Sequence, residues 1–366
     1  MGIETAAPLN VPRVYIVLLN WNGWGDTIEC LESLFRLQYS DYRVVVCDNG
    51  SEDGSVDRIR DWAEGRLDVR GSPGMGTRRL SFPPVEKPIP YLEYDRAAAE
   101  AGGSTGVDAP LVLIRTGGNL GFAGGTNVGL RYGLEKGDLD YAWILNNDTV
   151  SRFDALGHLV RRMEQDPGVG FCGSTILSYT APATVQALGG AVYNKWVGSN
   201  RHLGLFLNYP LVVDETEMEK RMRYVIGASM LVSRRLLEDV GLMCEDYFLY
   251  FEELDWATRA KGKFSLAYAS RSVVYHKEGG AIGTKSDPME KSFLSDYYSL
   301  RNRLVFTRKH HPVALPSVWL GLFVALARRL RRGQIDRAGM ILRLIVGKKS
   351  SPPPPTGRPD GNPETN

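Results

Sequence analysis

The segment Val14–Asn20, VYIVLLN, is a continuous apolar run rich in β-branched residues that stops at an amide. Apolar side chains on both faces are what a central strand of a parallel sheet requires, since such a strand is covered on both sides. A helix follows at 26–37, DTIECLESLFRL, with Ile28, Leu31, Leu34 and Phe35 on one face and Asp26 available as its cap. RVVVCDN (43–49) reads as a second strand, and SEDGS leads into another helix. LVLIRT (111–116) and YAWILNND (141–148) read as the third and fourth strands. This alternation predicts an α/β, doubly wound, mainly parallel sheet. Sheets of that kind bind ligands beyond the carboxyl ends of their strands.

Composition fits the class. The chain has 366 residues, 43% hydrophobic and 23% charged, enough for one large domain or two ordinary ones with a real core. A net charge of +2 gives no global field for nucleic acid, and no such partner is expected. Cys30, Cys47, Cys172 and Cys244 are far apart and form no CxxC pair, which reads as reduced, mostly buried thiols of a cytoplasmic protein. MGIETAAPLNVPR has no apolar signal core, and Ala6 stands where myristoylation wants Ser or Thr. Residues 1–12 read as an extension and 13–312 as the main domain. Within it, 65–110 is rich in Gly, Pro and Ala with little periodicity and reads as an insertion or flexible loop.

Past Asp148 the pattern loosens. GFCGSTIL, YVIGASMLVS and FSLAYASRSVVYH read as strands. FDALGHLVRRMEQDP, RRLLEDVG, EELDWATRAKG and DPMEKSFLSDYYSLRNRLVFTRKHH read as helices. Residues 313–349 change character: LPSVWLGLFVALARRLRRG (315–333) has about a dozen apolar positions followed by four arginines, short of the roughly 20 apolar residues of a spanning helix. A helix lying in a membrane interface suits it, and MILRLIVGKK (340–349) repeats the theme. The same pattern fits two amphipathic helices packed on the domain or in a homo-oligomer. The Pro-rich tail, 350–366, reads as disordered.

Four polar clusters end the first four strands: LNWNG, CDNGSEDGS, TGGNLGFAGGTNVG and NNDT. Any one alone reads as a turn, because Asn, Asp and Gly are ordinary turn residues. Four on one sheet edge describe a ligand crevice. The third is not a Walker loop, since no GK[ST] follows; its small residues enter a helix N-terminus, where amides can meet an anion. In YFLYFEELDWATRAKG (247–262), Glu252, Glu253 and Asp255 follow a run of aromatics. Mutual repulsion and desolvation raise the pKa of such carboxylates, as a general base near neutral pH needs. The same residues also suit the acidic first turn of a helix. His276 ends SVVYH before the Gly-rich KEGGAIGTKS. It is a candidate metal ligand beside Asp148, and the glycine segment a candidate lid.

In combination, VYIVLLNWNG, VVVCDNGSEDGS, NLGFAGGTNVG, WILNNDT, GASMLVSR, FLYFEELDWATRAKG and VVYHKEGG resemble the family 2 inverting glycosyltransferases of the GT-A fold, and within them the rhamnosyltransferase-type members of bacterial polysaccharide assembly. The resemblance covers roughly residues 13–310 apart from 65–110, and implies a nucleotide-sugar half (13–150) and an acceptor half (151–312). It implies that Asn20, Asn22, Asp48, Asn119, Gly121, Asn127 and Asn147 line the nucleotide sugar. Asp148, the last residue of a DxD-like motif, would hold Mg2+ or Mn2+, with His276 completing the metal site. Glu253 takes the position of the catalytic base, Glu252 precedes it and Asp255 lies on the same acidic turn. Trp256 and Arg301 are candidates for acceptor or lid contacts. The implied reaction is a single inverting displacement from a nucleoside-diphosphate sugar, dTDP-rhamnose or a UDP-sugar, onto a glycan or lipid-linked hydroxyl. A peripheral position on the inner face of the cell membrane would follow. Asn146 stands where the first DxD carboxylate is usual, which predicts a weak metal site filled mainly with the donor's diphosphate present. A non-catalytic sugar-nucleotide-binding scaffold is the alternative. A nucleotidyltransferase fits less well, because NWNGWGDT carries no Lys or Arg.

Overall fold

The computed structural model describes residues 11–68, 77–277 and 292–347. The first half runs β1 (Val14–Asn20), α1 (Trp24–Leu34), β2 (Tyr42–Asp48), α2 (Ser55–Ala63), β3 (Tyr91–Asp95), α3 (Arg96–Glu100), β4 (Leu111–Arg115), α4 (Gly121–Lys136) and β5 (Tyr141–Asn146). Next come β6 (Thr149–Ser151), α5 (Ala155–Glu164), β7 (Val169–Ser178), β8 (Val185–Leu188), β9 (Gly190–Asn194), β10 (Ser199–His202), α6 (Glu215–Arg221), β11 (Tyr224–Val225) and β12 (Ser229–Ser233). The remainder is α7 (Arg234–Val240), α8 (Glu252–Ala260), β13 (Ser265–His276), α9 (Phe293–His310), α10 (Leu315–Arg331) and α11 (Ile335–Ile345).

One large sheet runs β3-β4-β2-β1-β5-β12-β7-β13-β6, with β8 attached to β7. Its first five strands are mutually parallel. β12 inserts antiparallel between β5 and β7, so β7 and β13 run with the parallel set. The predicted mainly parallel α/β sheet is therefore what forms. Alternate residues of β1 serve opposite faces. Tyr15 and Val17 join the cluster that holds Val128 and Leu130 of α4; Ile16 and Leu18 join the one that holds Leu31 of α1, Trp62 of α2 and Leu159 of α5. Cys30, Cys47 and Cys172 are buried and free, and burial pushes the Cys30 and Cys47 thiols up to about 12.

Several local expectations are corrected. Asp26 does not cap α1: Gly23 takes that position, and Asp26 pairs with Lys277 Nζ at 2.7 Å. Within 65–110, read as an insertion or flexible loop, Tyr91–Asp95 is the edge strand of the main sheet and α3 packs on α4, while 69–76 fall outside the described residues. YVIGASMLVS is two strands split at Gly227, because β11 joins β9 and β10 in a separate small sheet while β12 enters the large one. The Gly-rich lid candidate after Lys277, the Pro-rich tail and most of the 1–12 extension lie outside the described residues.

Helix α8 is tied to α9 by one buried carboxylate. Asp255, fully buried, accepts from Lys309 Nζ at 2.8 Å, His310 Nε2 at 2.7 Å, Arg259 Nε at 2.8 Å and Tyr247 Oη at 3.1 Å. Burial alone would raise its pKa, but the hydrogen bonds from Lys309, His310 and Arg259 hold it below the ordinary aspartate value. A depressed pKa contributes stability above the unfolded-state value and loses it as pH falls through the folded one. Asp255→Asn should cost about 3 kcal/mol near neutral pH, the lower end for breaking a buried pair because Lys309 is partly exposed. Denaturant melts at pH 7 and in acid check this: the gap to the parent protein narrows as the pH falls, and a gap that is absent at pH 7 contradicts the assignment.

Candidate active site

The carboxyl ends of β1, β2, β4 and β5 are stitched together by their own amides. Asn20, fully buried, donates from Nδ2 to Asp48 Oδ2 at 2.8 Å and to Ser51 Oγ at 3.1 Å, and accepts from Thr27 Oγ1 at 2.8 Å. Asp48 also accepts from the Ser51 amide at 3.1 Å. Asn147 reaches the same node, donating to Thr27 Oγ1 at 2.9 Å. Asn22 sits in the left-handed region (φ 49°); it donates its amide to Ser51 Oγ and accepts from the Glu52 amide. Asn49 bridges to the third strand end, donating to Asn119 Oδ1 at 3.1 Å and to the Gly121 carbonyl at 3.2 Å. Strand pairing brings these groups level, since Asn20 lies opposite Asp48, and Leu19 opposite Asn146.

The second cluster centres on His276. Its Nε2 lies 3.2 Å from Asp148 Oδ1 and 3.3 Å from Asn146 Nδ2, and its Nδ1 lies 3.0 Å from Gln186 Oε1. With Nδ1–H donating to Gln186, Nε2 is left as an acceptor for the Asn146 amide beside Asp148, and the bond to Gln186 orients the imidazole as it would a metal ligand. β13 carries His276 to this edge because it runs parallel to β7 and pairs with β6, which follows Asp148 directly. Beside it, the carbonyl of Asp148 accepts from the Lys277 amide. The Lys277 ammonium is held between Asp26 and Glu29.

The third cluster opens α8. Phe248, Tyr250 and Phe251 all lie in the left-handed region (φ 62°, 67° and 75°). Non-glycine residues held there cost about 1–3 kcal/mol each and persist only where their surroundings fix them. Asn302 of α9, fully buried, does so: its Nδ2 lies 2.7 Å from the Tyr247 carbonyl, 2.7 Å from that of Leu249 and 3.0 Å from that of Tyr250. From α4, the Phe122 amide donates to the Phe248 carbonyl at 2.6 Å. Out of this loop come Glu252, 2% exposed with Oε2 unpartnered among the described residues, and Glu253, partly exposed and accepting from the Gly227 amide at 3.2 Å. Burial raises both pKa values, and Glu253 pushes Glu252 further. The next residue along, Ala228, accepts through its carbonyl from the Asn146 amide at 3.2 Å. Gly227–Ala228 thus joins the carboxylate pair to the end of β5. A Cβ on Gly227 would stand 2.5 Å from Glu253 Oε1, so any side chain there would displace the carboxylate from this position.

The structure therefore brings together Asn20, Asn22, Asp48, Asn119 and Asn147 in one network, Asp148 with His276 in a second, and Glu252 with Glu253 in a third. Other sequence candidates are placed differently. Asn127 is consumed by Met243, accepting from its amide and donating to its carbonyl, and also donates to Glu245, so it positions a loop instead of facing a nucleotide. Asp255 is the ion-pair hub of α8 and α9. Trp256 is fully buried, donates to the Gly241 carbonyl and packs edge-on against Phe171, so it is neither acceptor contact nor lid. Arg301 reaches the Asp246 carbonyl and Asn302 Oδ1, bracing the strained loop. Gly121 (φ +73°) is needed for chain packing: a Cβ there would lie 2.4 Å from the Phe248 carbonyl. The Gly121 and Phe122 amides at the start of α4 are taken by Asn119 Oδ1 and the Phe248 carbonyl, which removes two of the donors an anion would use. Missed by sequence reading were Ser51, Thr27, Gln186 and Asn302. Asn302 carried a signal: an amide between Leu300, Leu304 and Phe306 in a long helix.

Residues 15–73 match the glycosyl transferase family 2 profile. Two curated proteins are similar over part of their length. A low-salt glycan biosynthesis hexosyltransferase of Haloferax volcanii is 26% identical over 151 residues, 40% of this chain and 45% of that protein. A dTDP-rhamnosyl transferase of Shigella flexneri is 24% identical over 216 residues, 56% of this chain and 66% of that protein. The chain thus spans less than two thirds of either relative. Among solved structures, a mannosyltransferase from Pyrobaculum calidifontis in complex with GDP-Man and Mn2+ is 16% identical with a TM-score of 0.49, covering 92% of this chain and 86% of that one. Over residues 15–73 the chain is therefore similar to glycosyl transferase family 2, and both relatives are glycosyltransferases by name, a hexosyltransferase and a dTDP-rhamnosyl transferase.

Proposed function

We propose that this protein is an inverting glycosyltransferase that moves a sugar from a nucleoside-diphosphate sugar to a hydroxyl of a glycan or lipid-linked acceptor. The observation that carries the reading is the Gly227–Ala228 link, which seats the raised-pKa carboxylate of Glu253 beside the strand end that bears Asp148. Rhamnose from a dTDP donor is the favoured sugar, supported by the Shigella flexneri relative; a UDP-sugar is the next choice.

In this reading Asn22, Asp48 and Asn147 face the nucleoside, and the fully buried Asn20 positions Asp48 within a network already hydrogen-bonded and so pre-organised. Glu253 accepts the proton of the acceptor hydroxyl as its oxygen attacks the anomeric carbon, and the nucleoside diphosphate leaves from the opposite face. Partial exposure suits Glu253 to meet an acceptor, while desolvation by its surroundings makes it a stronger base. Glu252, almost fully buried, sharpens that environment without reaching the solvent. Asp148 and His276 would hold Mg2+ or Mn2+, and the donor set fits one: a carboxylate and an imidazole oriented by Gln186. When bound, the ion neutralises charge on the leaving diphosphate. Among the described residues no group of three His, Cys, Asp or Glu converges, so in this reading the donor's diphosphate oxygens would supply further ligands.

Three outcomes are expected. Glu253→Gln should lower kcat by about 10²–10⁴-fold with the KM for the nucleotide sugar little changed; undiminished transfer by a folded variant removes Glu253 as base. In the parent protein kcat/KM should rise with pH through an apparent pKa above the ordinary glutamate value, because the base works only when deprotonated and its pKa is raised. A profile already flat at pH 5 contradicts this. Mn2+ titrated calorimetrically should bind weakly to the protein alone and at least tenfold more tightly with nucleoside diphosphate present, and Asp148→Asn should abolish that gain. Tight binding without nucleotide would show a complete metal site and sink the two-ligand reading.

A further inference from the structure

Helices α10 and α11 present the wrong face to water. A surface helix normally buries its apolar stripe and exposes its polar side. α10 does bury Val318 and Leu322 against the α9 side of the molecule, but its outward positions are also apolar. Leu320, Phe323, Val324 and Leu330 recur at intervals of three, one and six residues along the exposed side, and Leu320 is 66% exposed. On α11, packed against α10, Ile335 (66% exposed) and Leu342 continue the patch. Contiguous exposed apolar surface of this kind marks an interaction site.

Charge identifies what covers it. From Pro312 to Gly347 the chain carries six arginines and a single acidic residue, Asp336. Arg329 and Arg337 turn inward to Asp296 on α9. Arg328, Arg331, Arg332 and Arg343 are exposed at the margin of the patch. A second copy of this chain would bring no carboxylate on α10 to meet them, because 312–331 contains neither Asp nor Glu. An anionic lipid surface supplies both an apolar interior for Leu320 and Phe323 and negative headgroups for the arginines. By length and composition Pro312–Arg331 could cross a membrane. Its packing on α9 and the Arg329–Asp296 pair instead hold it along the side of the domain, in the plane of an interface.

We infer that the α10–α11 hairpin is a docking surface for an anionic membrane. The arginine end of α10 meets α9 at Asp296, next to Ser295, whose hydroxyl lies 2.8 Å from Tyr250 Oη in the loop that delivers Glu252 and Glu253. Docking therefore brings the mouth of the carboxylate site to the level of the headgroups, where a lipid-linked hydroxyl would be found. That orientation rests on the proposed glycosyl transfer; the docking itself does not.

The test is flotation of the full chain with vesicles of phosphatidylcholine alone and with about one third phosphatidylglycerol. Binding is expected to the anionic vesicles only, weakening as salt is raised. Phe323→Glu, and separately the triple variant Arg328→Glu, Arg331→Glu, Arg332→Glu, should each lose binding, the triple by about a hundredfold or more. Both should keep the parent melting temperature and nucleotide-sugar affinity, which report on the donor site independently. If Phe323→Glu misfolds, the exposed arginines carry the test. Equal binding to both vesicle types overturns the charge argument. A monomer that ignores vesicles overturns the proposal, and so does a dimer that Phe323→Glu dissolves, which would make the patch a self-interface.

Discussion

The site depends first on the parallel register of β1 between β2 and β5. That register sets Asn20 against Asp48, and Leu19 against Asn146, so that strand ends far apart in sequence finish at one level. A slip of one residue would turn every side chain of β1 to the other face and exchange the two core clusters. The two apolar faces of β1 thus fix the position of the polar network at its carboxyl end.

On that edge, polar groups are arranged by two different means. Around Asn20 the amides, hydroxyls and Asp48 satisfy one another, so the pocket is ordered before any ligand arrives. Around Glu252 the opposite holds: a carboxylate oxygen is buried without a partner among the described residues, and three residues are held in the left-handed region. Strain and unsatisfied polarity of this kind persist only when the surrounding fold over-determines them. Asn302, the Phe122 amide and the Asp255 hub supply that restraint from α9, α4 and α8. The cost of a raised-pKa carboxylate is therefore met by side chains and amides that stand apart from the proposed chemistry.

Much of this was legible beforehand. The strands ending in Asn and Asp follow from continuous apolar runs broken by turn residues, a pattern with a local cause. Pairing of Asp148 with His276 was also anticipated, through the order of motifs. Less legible were residues whose role depends on what lies across a gap. Gly121 reads as part of a phosphate-type loop, yet its hydrogen is required by the Phe248 carbonyl, 127 positions later. Asn127 and Asp255 look like site residues by type, but each is saturated by partners from a distant segment. In the segment 65–110, too, the sequence is poor in periodicity, while edge pairing with β4 makes Tyr91–Asp95 a strand.

By itself the sequence determined the alternation of strands and helices, the apolar core, the polar strand ends and the excess of arginine over acid near the C-terminus. These are properties of periodicity, residue type and charge, which act over a few residues. Only the tertiary structure decided which carboxylate is partly exposed and which is locked in an ion-pair hub. It also decided that the insertion of β12 lets Gly227 and Ala228 bridge Glu253 to β5, and that the outer face of α10 is left apolar. The reason is physical: burial, desolvation and hydrogen-bond saturation belong to the assembled environment of a side chain, and that environment comes from segments well separated along the chain, 26 residues for Gly227 and Glu253 and 54 for Asp255 and Lys309.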